Sequence, residues 1–68
     1  MTFAEARQKL GLSIAEMAQA CGVHRQTWTK WERGERSPDA AAVRLISLLV
    51  WLHDEDPELF KRIPIRKG

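Results

Sequence analysis

Apolar side chains in this chain recur at intervals of three and four residues, and short polar clusters divide them into five segments. The segments 3–10, 14–21, 25–33, 39–52 and 57–62 read as helices. Together they form one all-α domain over residues 1–63, followed by a short basic tail at 64–68. No run alternates apolar with polar and no hairpin dipeptide occurs, so no strand is expected. Thr2 and Glu5 make a T-x-x-E capping box, and Ser13 and Glu16 make an S-x-x-E box. Each would open a helix by satisfying its first free amides. Gly11 and Gly22 stand where these two helices should close. In the second helix Met17, Ala18 and Cys21 share the inner face, and Ala18 is small enough to let another helix cross closely.

The second and third segments are joined by Cys21-Gly22-Val23-His24, a connection of the length that joins two helices at a steep angle in a helix-turn-helix. Val23 is the apolar plug of that turn. In the third segment Trp28 and Trp31 form one apolar stripe, and Gly34 is placed to end the helix. Its other face holds Arg25, Gln26, Thr29, Lys30 and Arg33. Arginine and lysine pair with guanine, and glutamine pairs with adenine, in a DNA major groove. At this stage an ordinary amphipathic helix with a solvated basic face explains the segment equally well.

Ser37-Pro38-Asp39 reads as a cap followed by proline at the first helical position of the fourth helix. Ala42, Leu45, Ile46, Leu49 and Leu52 make its core stripe. Trp51 falls on the opposite side beside Arg44 and Ser47, with Leu48 and Val50 flanking. A helix apolar on more than one side needs more than one cover, and so small a domain cannot supply both. The simplest second cover is another copy of the chain. Asp56-Pro57 opens the fifth helix, and Leu59, Phe60 and Ile63 are its apolar residues. The expected dimer interface is therefore Leu48, Val50 and Trp51 with Leu59, Phe60 and Ile63. Arg66 and Lys67, in the tail, read as a solvated terminus.

Composition narrows the setting. The chain has 68 residues, enough for one small core. A single cysteine excludes an internal disulfide. With no signal peptide and no apolar run of about 18–20 residues, a soluble, reducing, cytoplasmic setting is expected. Net charge is only +2, with a pI near 9.1, so the distribution matters more than the total. Arg25, Lys30, Arg33 and Arg36 stand against Glu32 and Glu35, whereas Asp54, Glu55, Asp56 and Glu58 cluster elsewhere. Segregation of this kind suits one basic working face.

Catalytic and cofactor chemistry finds little to use. There are two histidines, one cysteine, no tyrosine and no glycine-rich phosphate loop. Cys21 and His24 form a C-x-x-H, but only His53 is left to join them, whereas structural zinc takes four ligands. No metal, cofactor or small-molecule ligand is expected. Trp28 and Trp31 could be exposed stacking platforms for single-stranded nucleic acid. Their spacing beside Val23 favours the core.

Taken together, L-G-L-S-x-x-E-M-A-x-x-C-G-V-x-x-x-T-W-x-K-W-E-R-G-x-R-S-P closely resembles the Cro/repressor (XRE-type) helix-turn-helix DNA-binding domain over about residues 3–52. The resemblance implies a compact five-helix domain whose third helix is the recognition helix. Its base-reading positions match Arg25, Gln26, Thr29 and Lys30. Its phosphate contacts match Ser13, His24 and Arg33, with Arg36 nearby. The family also often pairs an arginine of its first helix with the glutamate of W-E-x-G, here Arg7 and Glu32. A partly buried pair would fix the third helix against the first. Two positions depart from the pattern. Ile14 stands where the family commonly has a phosphate-touching glutamine, so the amides of the second helix would hold that phosphate. His24 replaces the usual serine cap; it caps less well but can meet a phosphate and carry charge there.

The resemblance implies a phage or bacterial transcriptional regulator, a repressor that binds a palindromic operator in double-stranded DNA as a homodimer and is nucleoid-associated when bound. The rival reading is a protein-binding module, such as an antitoxin, that keeps the helix-turn-helix shell and grips a protein partner through the outer face of its fourth helix. Such a module would not need Arg25, Gln26, Thr29 and Lys30 together.

Overall fold

A computed structural model describes residues 1–65; Arg66 and Lys67 of the basic tail lie outside the described residues. Five helices follow one another: α1 (Phe3–Leu10), α2 (Ile14–Ala20), α3 (Arg25–Arg33), α4 (Ala40–Glu55) and α5 (Pro57–Phe60). No strand occurs among the described residues. The first two helices begin as their sequences dictate. Thr2 and Ser13 each accept a hydrogen bond at 3.1 Å from the amide three residues on, and the Glu5 and Glu16 carboxylates each accept one from the cap's own amide. α2 stops one residue earlier than its pattern suggested, with Cys21 as its C-cap. Gly22, at φ 69°, then turns the chain. That left-handed conformation costs any other residue its Cβ clearance, so the sharp turn into α3 depends on glycine.

The fourth helix departs from expectation at both ends. Its N-cap is Asp39, not Ser37: the Asp39 carboxylate accepts from the Ala42 amide at 2.8 Å, and Pro38 stays outside the helix. At the other end it continues past Leu52 to Glu55. Nothing in Leu52-His53-Asp54-Glu55 breaks a helix, and the stop comes from Asp56-Pro57. Proline excludes its predecessor from the helical region, and Asp56 is accordingly at φ −147°, ψ 81°. The Asp56 carboxylate then caps α5 by accepting from Leu59 at 3.1 Å. Lys61 and Arg62 form a turn and not a last helical stretch.

All five helices contribute to one core made of Ala6, Leu10, Met17, Ala18, Trp28, Trp31, Ile46, Leu49 and Phe60. Trp28 and Met17 are its fully enclosed large side chains. Phe3, Trp28 and Trp31 meet as an aromatic triad with ring centroids 5.7–6.3 Å apart, and the Phe3–Trp28 and Trp28–Trp31 contacts are edge-to-face. Val23 packs against the core from the turn between α2 and α3. Phe60 requires a correction: it is 7% exposed and packs edge-on against His53 at 5.1 Å, within the domain itself. It cannot also form a surface between subunits. Ile63 is half-buried against the same core, and Leu59 alone of the three is exposed.

Candidate nucleic-acid interface

Orientation of α3 comes from its buried side. Trp28 and Trp31 are 0% and 6% exposed, which fixes the rotation of the helix and leaves Arg25, Gln26, Lys30 and Arg33 exposed. The two rings are therefore core and offer no stacking platform. Glu32 adds a polar anchor. Its carboxylate accepts from Arg7 Nε at 2.7 Å and Arg7 Nη2 at 3.5 Å, and also from the indole N–H of Trp28. Arg7 uses its remaining fork to reach the Leu12 carbonyl at 3.1 Å, in the connection before α2. One guanidinium thus ties α1 to α3 and to the approach to α2. Partial burial pushes the Glu32 carboxyl up, but the hydrogen bonds from Arg7 and Trp28 and the charge of Arg7 outweigh it, leaving it below the usual carboxylate value.

The outward positions divide into neighbouring groups. Ser13, Ile14 and Ala15 at the start of α2 and Arg25, Gln26 and Thr29 of α3 line an open cleft, to which Arg7 also contributes. His24, Arg25 and Gln26 border a second, adjoining hollow together with Ala15, Gln19 and Gly22. Lys30 and Arg33 lie farther along α3, and Arg36 follows its Gly34 cap without lining either hollow. Ser13, His24, Arg25, Gln26, Lys30, Arg33 and Arg36 are exposed, and Thr29 is half-buried. The Thr29 hydroxyl donates to the Arg25 carbonyl at 3.0 Å, which leaves its lone pairs and methyl group for an external contact. Arg33 makes only a loose, exposed pair with Glu35 at 3.8 Å. His24 occupies the N-cap position of α3 but gives no capping hydrogen bond, so its imidazole is not committed to the helix.

No acidic residue lines either hollow. The surface is a basic, hydrogen-bonding ridge formed by α3, flanked by the N-terminus of α2, and its width is that of a single helix. A helix presented in this way fits the major groove of B-form DNA, which is about 12 Å wide. Two contributors were missed by sequence reasoning. Arg7 was assigned a purely internal role, yet it also lines the cleft. Gln19 was given none, although its i, i+4 spacing from Ala15 puts both on the side of α2 that flanks α3.

Among the described residues, no group of three or more histidine, cysteine or acidic side chains is arranged to hold a metal, and no helix is long and apolar enough to cross a membrane. Cys21 is half-buried, and burial pushes its thiol above the ordinary value. Comparison with curated proteins and with solved structures returned no match. A family model described as helix-turn-helix matches residues 3–49, from the first residue of α1 to well inside α4, and so spans both capping boxes, the turn at Gly22 and the whole of α3. The chain belongs to the helix-turn-helix family of Cro/repressor (XRE) type, a family of DNA-binding regulatory domains that are not typically enzymes.

Proposed function

We propose that this protein is a sequence-specific transcriptional repressor that binds a palindromic operator as a homodimer, with α3 of each subunit in successive major grooves about 34 Å apart. The observation that carries this reading is the division of α3. Two tryptophans lock one side into the core, and Arg25, Gln26 and Lys30 stand exposed on the other with no structural duty. In this reading Arg25, Gln26, Thr29 and Lys30 read base edges. Ser13, His24, Arg33 and Arg36 hold phosphates, joined by Gln19. Leu48, Val50, Trp51, Leu59 and Ile63 supply the interface between subunits, without Phe60, which is internal. Phage or mobile-element origin would suit a regulator whose control comes through its own concentration.

Exposed Trp51 and Leu48 favour a second reading, an antitoxin-like module that grips a different protein through α4. Selection of bound sites from a random duplex library at fixed, near-physiological salt separates the two. An enriched palindrome with half-sites one helical turn apart is the expected result. Salt-sensitive binding with no enrichment would reduce the α3 ridge to an electrostatic patch and leave the protein-binding module standing.

A further inference from the structure

Four residues of α4 form a pattern that the core does not use. Arg44, Leu48, Trp51 and Glu55 are all exposed and follow one another at intervals of four, three and four residues. At 3.6 residues per turn they fall within about 60° of one another, a single stripe about 16 Å long. Its apolar centre is open: Leu48 is 61% exposed and Trp51 59%. A groove of about 480 Å³ between α1 and α4 runs beside Trp51 and gives its ring room to be covered. Neither Arg44 nor Glu55 has an ion-pair partner among the described residues. Glu55 is moreover the last residue of α4, where its charge opposes the helix dipole.

The stripe is balanced about the point midway between Leu49 and Val50. Leu48 and Trp51 lie equal steps inside, and Arg44 and Glu55 equal steps outside. A two-fold axis through that point, with the helices antiparallel, sets Leu48 against the partner's Trp51 and Arg44 against the partner's Glu55. It also brings each α4 C-terminus toward the positive end of the other helix. Parallel pairing would set like charge on like. We propose that this stripe is where two copies of the chain meet, antiparallel and in this register. The proposal rests on the homodimer reading above and deepens it. A surface one helix wide offers less than the roughly 800 Å² per partner that stable complexes bury, so the pair should dissociate readily on dilution.

Charge exchange tests it by sedimentation equilibrium from micromolar to millimolar protein. The unmodified chain should follow a monomer–dimer equilibrium. Arg44→Glu and Glu55→Arg each turn both attractive pairs of the dimer into repulsive ones, so each should weaken association roughly tenfold or more. An equimolar mixture of the two variants should recover it as a heterodimer, because opposite charges then face each other at both ends. Both positions are solvent-exposed, and circular dichroism should show unchanged helix content. An unmodified chain that stays monomeric throughout, or meets only a different protein there, would overturn both the register and the homodimer. A dimer indifferent to either change, or variants that fail to rescue each other, would overturn the register and leave the homodimer standing.

Discussion

Glu32 receives hydrogen bonds from two residues, Arg7 and Trp28, and its folded-state affinity for a proton is lowered as a result. An unfolded chain binds that proton more readily, so the stability Glu32 contributes is complete above its ordinary value of 4.5 and is lost as pH falls through the lower folded value. Glu32→Gln should therefore cost about 1–3 kcal/mol near neutrality and flatten the decline of stability as pH falls below the ordinary carboxylate value. Denaturant titrations at stepped pH would show this. Some acid sensitivity should persist, because Glu5 is also lowered, by the Thr2 backbone hydrogen bond, and Asp54 by the hydrogen bond from Lys9. On the outer side of α3 the proposed roles give separable outcomes. Arg25→Ala should cost about 1–3 kcal/mol of operator binding and relax preference at one base position. Arg33→Ala should weaken all sequences alike and reduce the salt slope by about one unit. Titrations against the selected site and a scrambled duplex, at several salt concentrations, check both. Equal loss on every duplex for Arg25→Ala would remove its base-reading role.

Among the elements, α3 begins with the weakest local support. Thr2, Ser13, Asp39 and Asp56 all cap their helices through a side-chain oxygen, whereas His24 does not. His24→Ser should accordingly stabilise the fold by about 0.5–1 kcal/mol, read as a raised denaturant midpoint. An unchanged midpoint would mean that the α3 N-terminus is already satisfied. The contrast also explains what could be read from sequence. Capping boxes are local, so α1 and α2 were legible from residues three apart, and the i, i+3 tryptophans gave the inner side of α3. Before α4 the sequence pointed to Ser37 as the cap with Pro38 opening the helix, whereas Asp39 caps it, because where Pro38 leaves the chain is not written in the local pattern. The end of α4 was misplaced because its apolar stripe ends at Leu52 while its backbone does not stop until Pro57 intervenes. Four residues of α5 are too few for a period, so the inward turn of Phe60 and outward turn of Leu59 could come only from packing.

For the molecule as a whole, the side chains that anchor α3 differ from those proposed to read DNA. Trp28, Trp31, Glu32 and Arg7 hold α3 in place, and the connection before α2 is bound to the same guanidinium. The ridge is therefore a property of the whole domain, and an isolated segment spanning α2 and α3 would lack the fixture that aims it. The side chains of Arg25, Gln26 and Lys30, by contrast, make no hydrogen bond or ion pair among the described residues. Substitutions at these three positions leave the core, the caps and the Arg7–Glu32 tie untouched, so they fall in the class of surface changes worth about 0.5 kcal/mol or less. If these three positions read the operator as proposed, specificity is free to drift: a lineage would exchange one operator for another through them without approaching its folding threshold, and divergent relatives would share a scaffold while answering to unrelated promoters.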